Sequence, residues 1–174
     1  MSRDNFDPGE TAHKWWKELQ DDSGARARLR RASTPVEALA EKCTIGLAKR
    51  LGASPAKSAQ LARIGALAAV LAHVRDGDAS TPMARQLGPD SKGENAAMSV
   101  LRFQRLMAAE NPQDLMRQMR NAVKLLKDKA NIEDLAHAIF YWNDRTRIRW
   151  TYDYWGASIA TPETTKKQIQ ETTS

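Results

Sequence analysis

Apolar residues return along most of this chain every third or fourth position. The segment from Pro112 to Lys129 is the clearest case. Leu115, Met119, Ala122 and Leu126 make one stripe that Met116 and Val123 widen, the pattern of an amphipathic helix with one face in a core. Five side-chain acceptors stand directly before proline: Asp7-Pro8, Thr34-Pro35, Ser54-Pro55, Thr81-Pro82 and Asn111-Pro112. Each reads as a helix N-cap followed by a proline at the first helical position, where its missing N–H costs nothing. Thr34-Pro35-Val36-Glu37 adds a capping box. The pattern predicts helices near 8–21, 24–32, 35–51, 55–75, 94–109, 112–129, 132–142 and 144–155, with a short turn at 82–87.

No stretch alternates long enough for a strand, and β-branched residues are sparse beside Ala, Leu and Met. The expected class is all-α, with roughly eight helices in two small packed bundles and no sheet. Two turn-rich loops, 76–82 and 88–93, separate them. The expected organisation is a polar arm (1–9), an N-terminal bundle (10–90), a C-terminal bundle (91–156) and a polar Thr/Ser-rich tail (157–174). The longest apolar run, Ile64–Val74, has eleven residues, against about 18–20 for a bilayer span. The polar, acidic N-terminus resembles no signal peptide. A cytoplasmic protein without a membrane partner is expected.

Charge sharpens this picture. The chain of 174 residues carries 27 Lys and Arg against 21 Asp and Glu. Residues 1–22 hold six acids and three bases, so the remainder holds 24 bases against 15 acids. Such an excess points to an anionic partner, nucleic acid foremost. The bases fall in three clusters. Arg117, Arg120, Lys124 and Lys127 follow one another at helical spacing off the apolar stripe, with no acid between the first and last. That is either a solvated helix face or a ridge that tracks phosphates. Arg26, Arg28, Arg30 and Arg31 crowd into six residues whose nearest acids are Asp21, Asp22 and Glu37. Guanidinium forks suit phosphate oxygens. Arg145, Arg147 and Arg149 alternate within an aromatic segment, 140–155, where bases of a single strand could stack. The competing use is packing, since Tyr141, Ile148, Tyr152 and Trp155 have core spacing on a helix. Of Trp15 and Trp16, one is expected in the core and the other against a neighbouring helix or partner.

Candidate chemistry is thin. Cys43 is the only cysteine, which leaves no disulfide and no thiolate metal site; it is expected as a core thiol beside Leu39 and Leu47. His13, His73 and His137 lie far apart and read as packing or capping residues. Asp76 and Asp78 read as a helix-ending turn. No nuclease carboxylate group, Gly-rich phosphate loop or nucleophile triad stands out. No catalytic residue, metal or cofactor is expected, and the protein is read as a non-enzyme.

Several segments, in order, carry a resemblance. They are the Trp15–Leu19 helix (WWKEL), GARARLRRASTPVEA from Gly24, ARQLG (Ala84–Gly88), RFQRLM (Arg102–Met107), QMRNAVKLL (Gln118–Leu126) and the ending around YWNDRTRIRW. From about Thr11 to Trp155 the chain resembles the CasB family, the small subunit of the type I-E CRISPR surveillance complex Cascade. The resemblance implies a non-catalytic, mostly helical protein, present in two copies, that works with the crRNA-containing subunits: backbone, large subunit and crRNA-processing subunit. It implies antiviral defence, through stabilisation of the R-loop by basic surfaces facing the target strand and the displaced non-target strand. Carried over by position, the contacts implied are Arg30 and Arg31, Lys57, Arg120, Arg145 and Arg147. Asn121 follows Arg120, which removes part of one contact. The alternative from the residues alone is a stand-alone helical regulator that binds DNA or RNA. No helix-turn-helix with base-reading side chains is visible to support it.

Overall fold

The structure is a computed structural model that describes residues 7–160 and residue 162. The first six residues and most of the expected tail lie outside the described residues. Among the described residues there are ten α-helices and no strand, as the periodicity predicts. They are α1 (Pro8–Gln20), α2 (Ser23–Arg31), α3 (Pro35–Leu39), α4 (Lys42–Arg50), α5 (Ser58–Leu71), α6 (Met83–Leu87), α7 (Val100–Met107), α8 (Pro112–Leu125), α9 (Ile132–Phe140) and α10 (Asp144–Gly156).

Three of the five proline caps form as expected. Asp7 accepts from the Gly9 amide at 2.8 Å, Thr34 from Glu37 at 3.1 Å and Asn111 from Asp114 at 2.8 Å. Glu37 reaches past the cap amide of the expected box and accepts from the Ser33 amide, one residue earlier, at 2.7 Å. Ser54 makes no cap bond and precedes a 3-10 turn, Pro55–Lys57. Pro82 itself occupies the cap of α6, whose first amide is instead satisfied by the Asp134 carboxylate of α9 at 2.8 Å.

Four expected helices change length, among them 55–75, which opens as the 3-10 turn and ends at Leu71. The segment 35–51 breaks at Ala40 and Glu41, where Glu41 turns extended and its carboxylate meets Arg28 at 3.0 Å. The break lets α3 lie close on α5. A Cβ at Gly65 would collide with the Pro35 carbonyl, so only glycine permits this approach. The segment 94–109 starts late, at Val100. Asp90 gathers the amides of Lys92 and Glu94 and the side chain of Asn95, and these local bonds compete with helix. The segment 112–129 stops at Leu125, followed by left-handed Lys127 and Asp128. Amides of this turn close on the carbonyls of Val123 and Lys124 at 3.0 Å, which satisfies the helix C-terminus.

α5 is the axis. Eight consecutive residues, Ile64–Leu71, are buried on all sides, because α2, α3, α4, α8 and α9 surround it. α1 lies on α9, and Trp15 and Trp16 are both buried. Their indole N–H groups donate to the carbonyls of Cys43 at 2.9 Å and Val74 at 3.1 Å, so both tryptophans, rather than one, belong to the core. Cys43 sits at the start of α4 and is half-buried; burial, then Glu41, pushes its thiol pKa up. The 76–78 loop is stitched to the strap after α8 by the Ala130 amide on the Asp76 carbonyl at 2.9 Å and the Arg75 amide on Asp128 at 2.9 Å.

The aromatic ending is registered differently from expectation. Trp142, Thr146, Trp150 and Tyr154 face inward, whereas Ile148 and Tyr152 are 70% and 75% exposed and Tyr141 is exposed too. The inward stripe steps by four, which places Trp142 and Trp150 edge to face and stacks Tyr154 on Phe103 at 4.1 Å. The Tyr154 hydroxyl donates to Met98 at 2.7 Å. Of the expected set only Trp155 is partly buried.

Candidate nucleic-acid interface

α8 is flanked by three clefts that share lining residues. The first, of about 650 Å³, holds Arg117 and Arg120 beside Ser33 and Asn121. The second, of about 390 Å³, holds Arg30, His73, Arg120 and Lys124 with Asn121 and Asp128. The third, of about 640 Å³, is walled by Arg102 and Arg105 of α7 against Lys124 and Lys127, with Asn121 between. Asn121 lines all three, so the clefts adjoin along the outer face of α8 as a basic furrow on either side of it. Helical spacing places Arg117, Arg120 and Lys124 there. Lys127 reaches it from the left-handed turn beyond the helix end rather than from the helical stripe.

The bases along the furrow are not equivalent. Arg120 is half-buried and turned into the protein. Its guanidinium donates to the carbonyls of Ala32 at 2.6 Å, Leu29 at 2.9 Å, Ala69 at 3.4 Å and Arg30 at 3.5 Å. Three of these lie at the C-terminal end of α2, where a cation also meets the negative end of the helix dipole. Burial holds the Arg120 pKa below the ordinary arginine value. Arg117 is tied to Asp114, its neighbour one turn back. Arg30, Lys124 and Lys127 have no ion pair or side-chain hydrogen bond among the described residues, nor have Arg102 and Arg105. The last two escape a reading of charge runs because they sit on the outer face of a short helix, three residues apart. The signal available was the absence of any acid between Ser99 and Glu110.

The other expected bases lie apart from this furrow or are spoken for. Arg26 is half-buried and donates to Ala72 and Val74 carbonyls at 3.3 and 3.5 Å, and burial followed by Arg30 lowers its pKa. Arg28 pairs with both carboxylate oxygens of Glu41 at 3.0 Å, an acid thirteen residues on that local sequence spacing does not suggest. Arg31 is exposed and unpaired among the described residues. Lys57 lines a separate cleft of about 410 Å³ with Lys49, Arg50 and Tyr141. Arg145 is exposed at the start of α10. Arg147 donates to Ala109 at 2.8 Å and lies over the Trp142 ring at 5.4 Å, while Arg149 is bound to Asp134. Among the described residues no three His, Cys, Asp or Glu are grouped to hold a metal ion, and no helix is long and apolar enough to cross a membrane.

Comparison with known proteins matches this architecture to one family. The model of the family described as CRISPR-associated protein Cse2 matches residues 25–155, which takes in α2 through α10 and every wall of the furrow. No curated protein matches the chain. Among solved structures, a chain in the crystal structure of E. coli Cascade bound to a PAM-containing dsDNA target superposes with a TM-score of 0.63 at 22% identity. The match covers 89% of this chain and 98% of that one, so the two share the fold along their length. Cse2 and CasB name the same family of type I-E systems, and this chain belongs to it.

Proposed function

We propose that the protein is the non-catalytic small subunit of a crRNA-guided Cascade complex in cytoplasmic antiviral defence, and that the furrow along α8 holds the backbone of target DNA in the R-loop. The observation that carries the reading is the set of unpaired bases converging on one furrow: Arg30, Arg102, Arg105, Lys124 and Lys127. Opening a target duplex exchanges one set of base pairs for another of nearly equal stability, so contacts to the separated backbones decide the balance. A groove that neutralises phosphate without reading bases suits that task. In this reading residues 10–90 and 91–156 are two helical halves that meet at the furrow, the first giving Arg30 and the second the remaining four. Lys57 and Arg145, together with Arg31, offer further backbone contacts on other faces. A second copy of the chain and the large and backbone subunits supply the avidity that one furrow lacks.

The test has two parts. Gentle purification of the tagged protein from its own cells should bring down larger subunits and a guide RNA, with native mass giving the number of copies. In the assembled complex, reversing Arg102, Arg105, Lys124 and Lys127 to glutamate should weaken target binding and flatten its salt dependence. The slope should fall by about 0.7–0.9 for each phosphate no longer neutralised. A free monomer or homodimer without RNA would replace the proposal with the stand-alone regulator. An unchanged salt slope would remove the furrow from the mechanism.

A further inference from the structure

We propose that the cleft between the C-terminal ends of α2 and α5 and the last turns of α8 seats one backbone phosphate, and that seating it is coupled to protonation of His73. The inference rests on the proposed nucleic-acid contact and specifies its chemistry and its regulation.

The geometry comes first. His73 follows α5 and lines the cleft with Arg30, Arg120, Asn121, Lys124 and Asp128. Its Nε2 is buried and has no hydrogen-bond partner, and the ring lies against the Arg30 backbone. A neutral ring that donates from Nδ1 leaves Nε2 a bare lone pair, unsolvated and surrounded by cations. Every neighbouring element adds to that field. From α2 come Arg30 and Arg26, the latter bonded to the carbonyls of Ala72 and Val74 on either side of His73. From α8 come Arg120 and Lys124. Asp128 is the single acid lining the cleft, and Arg75 shares it at 3.6 Å. Burial, then Arg120 and Arg30, hold His73 down to about 4.

A phosphate in this cleft reverses the balance. Arg30 and Lys124 bring donors that nothing else in the described protein uses, and Asn121 adds an amide. The phosphate's negative charge offsets the two guanidiniums that disfavour the imidazolium, so the ring regains affinity for a proton. By linkage, a proton taken up on binding makes binding tighter as pH falls.

The experiment measures the affinity of the full chain for an oligothymidylate of about twenty nucleotides at low salt, with the wild type and His73→Asn compared. Asparagine keeps a donor near the Nδ1 position but cannot titrate. Should the bound ring recover its ordinary pKa, wild-type affinity rises by up to about tenfold between pH ~7.5 and ~5.5 beyond the change in the variant. His13, paired with Glu133, and His137, tilted against Tyr141, are common to both proteins and drop out of the comparison. The His73 ring signal of the wild type, followed by NMR with and without the oligonucleotide, gives the answer without a substitution: its midpoint must move up on binding. Equal pH responses of the two proteins, or an unmoved ring midpoint, overturn the coupling and leave the basic furrow standing. No binding at either pH, even at low salt, overturns the seat, and the contact made by the assembled complex is then decided by its salt slope.

Discussion

Replacing Arg120 by lysine keeps the charge and removes the fork, which separates two roles that charge alone cannot distinguish. If Arg120 met phosphate as a free surface base, lysine would serve nearly as well and leave folding untouched. The structure instead has its guanidinium joining four carbonyls from two elements, with the two shortest bonds, 2.6 and 2.9 Å, at the end of α2. A hydrogen bond to a charged group contributes about 1.5–3 kcal/mol when well formed. Partial exposure of the site lets water replace part of that. Arg120→Met should therefore cost about 2–3 kcal/mol and Arg120→Lys, which retains one of the two strong bonds, about 1–2 kcal/mol. For a chain of this size the methionine variant should melt about 4–12 °C lower. Urea unfolding measured by tryptophan fluorescence gives the free energies directly. A double-mutant cycle with Arg30→Ala/Arg31→Ala then assigns the effect on DNA binding. A positioning residue ceases to influence binding once the arginines it positions are gone, whereas a direct phosphate ligand still does. Unfolding free energies equal to wild type in both Arg120 variants would refute the clamp.

Two further outcomes follow from packing and titration. His73 is held near 4 in the folded protein against an ordinary 6.5, so the unfolded chain binds the extra proton between those values. Its contribution to stability is whole above about pH 6.5 and is lost as pH falls toward 4; allowing for solvent screening of a partly exposed ring, about 1–2 kcal/mol is at stake. Melting curves across that window should fall less steeply for His73→Asn, and parallel curves would contradict the assignment. Gly88 ends α6 against the backbone of Tyr154, whose carbonyl a Cβ would strike. Gly88→Ala should cost at least about 1–3 kcal/mol by forcing α6 off α10, and an unchanged urea midpoint would show that the contact yields freely.

Class, family and most helix starts were legible in the amino-acid order alone, because they depend on short-range rules. An apolar residue every three or four positions needs only its own helix to be legible, and Asp7, Thr34 and Asn111, each before proline, cap what lies directly beyond them. Net basic charge was legible for the same reason, whereas the expected ridge is split: Arg117 pairs with Asp114, Arg120 turns inward and Lys127 lies beyond the helix end. Which bases remain free is a matter of packing, since an arginine's partner can lie anywhere in the chain. Arg28 is neutralised by Glu41, Arg149 by Asp134, and Arg120 is drawn to carbonyls at the distant end of α2. Arg102 and Arg105 acquire their place only when α7 folds along α8. Register in α10 arises in the same way. Ile148 and Tyr152 have the spacing of a core face, but Trp142, Trp150 and Tyr154 bury the larger rings against Phe103 and the loop before α7. A helix with aromatic residues on two faces carries no internal instruction for choosing between them. Burial of the wider apolar area, available only once α6 and α7 are in place, makes the choice.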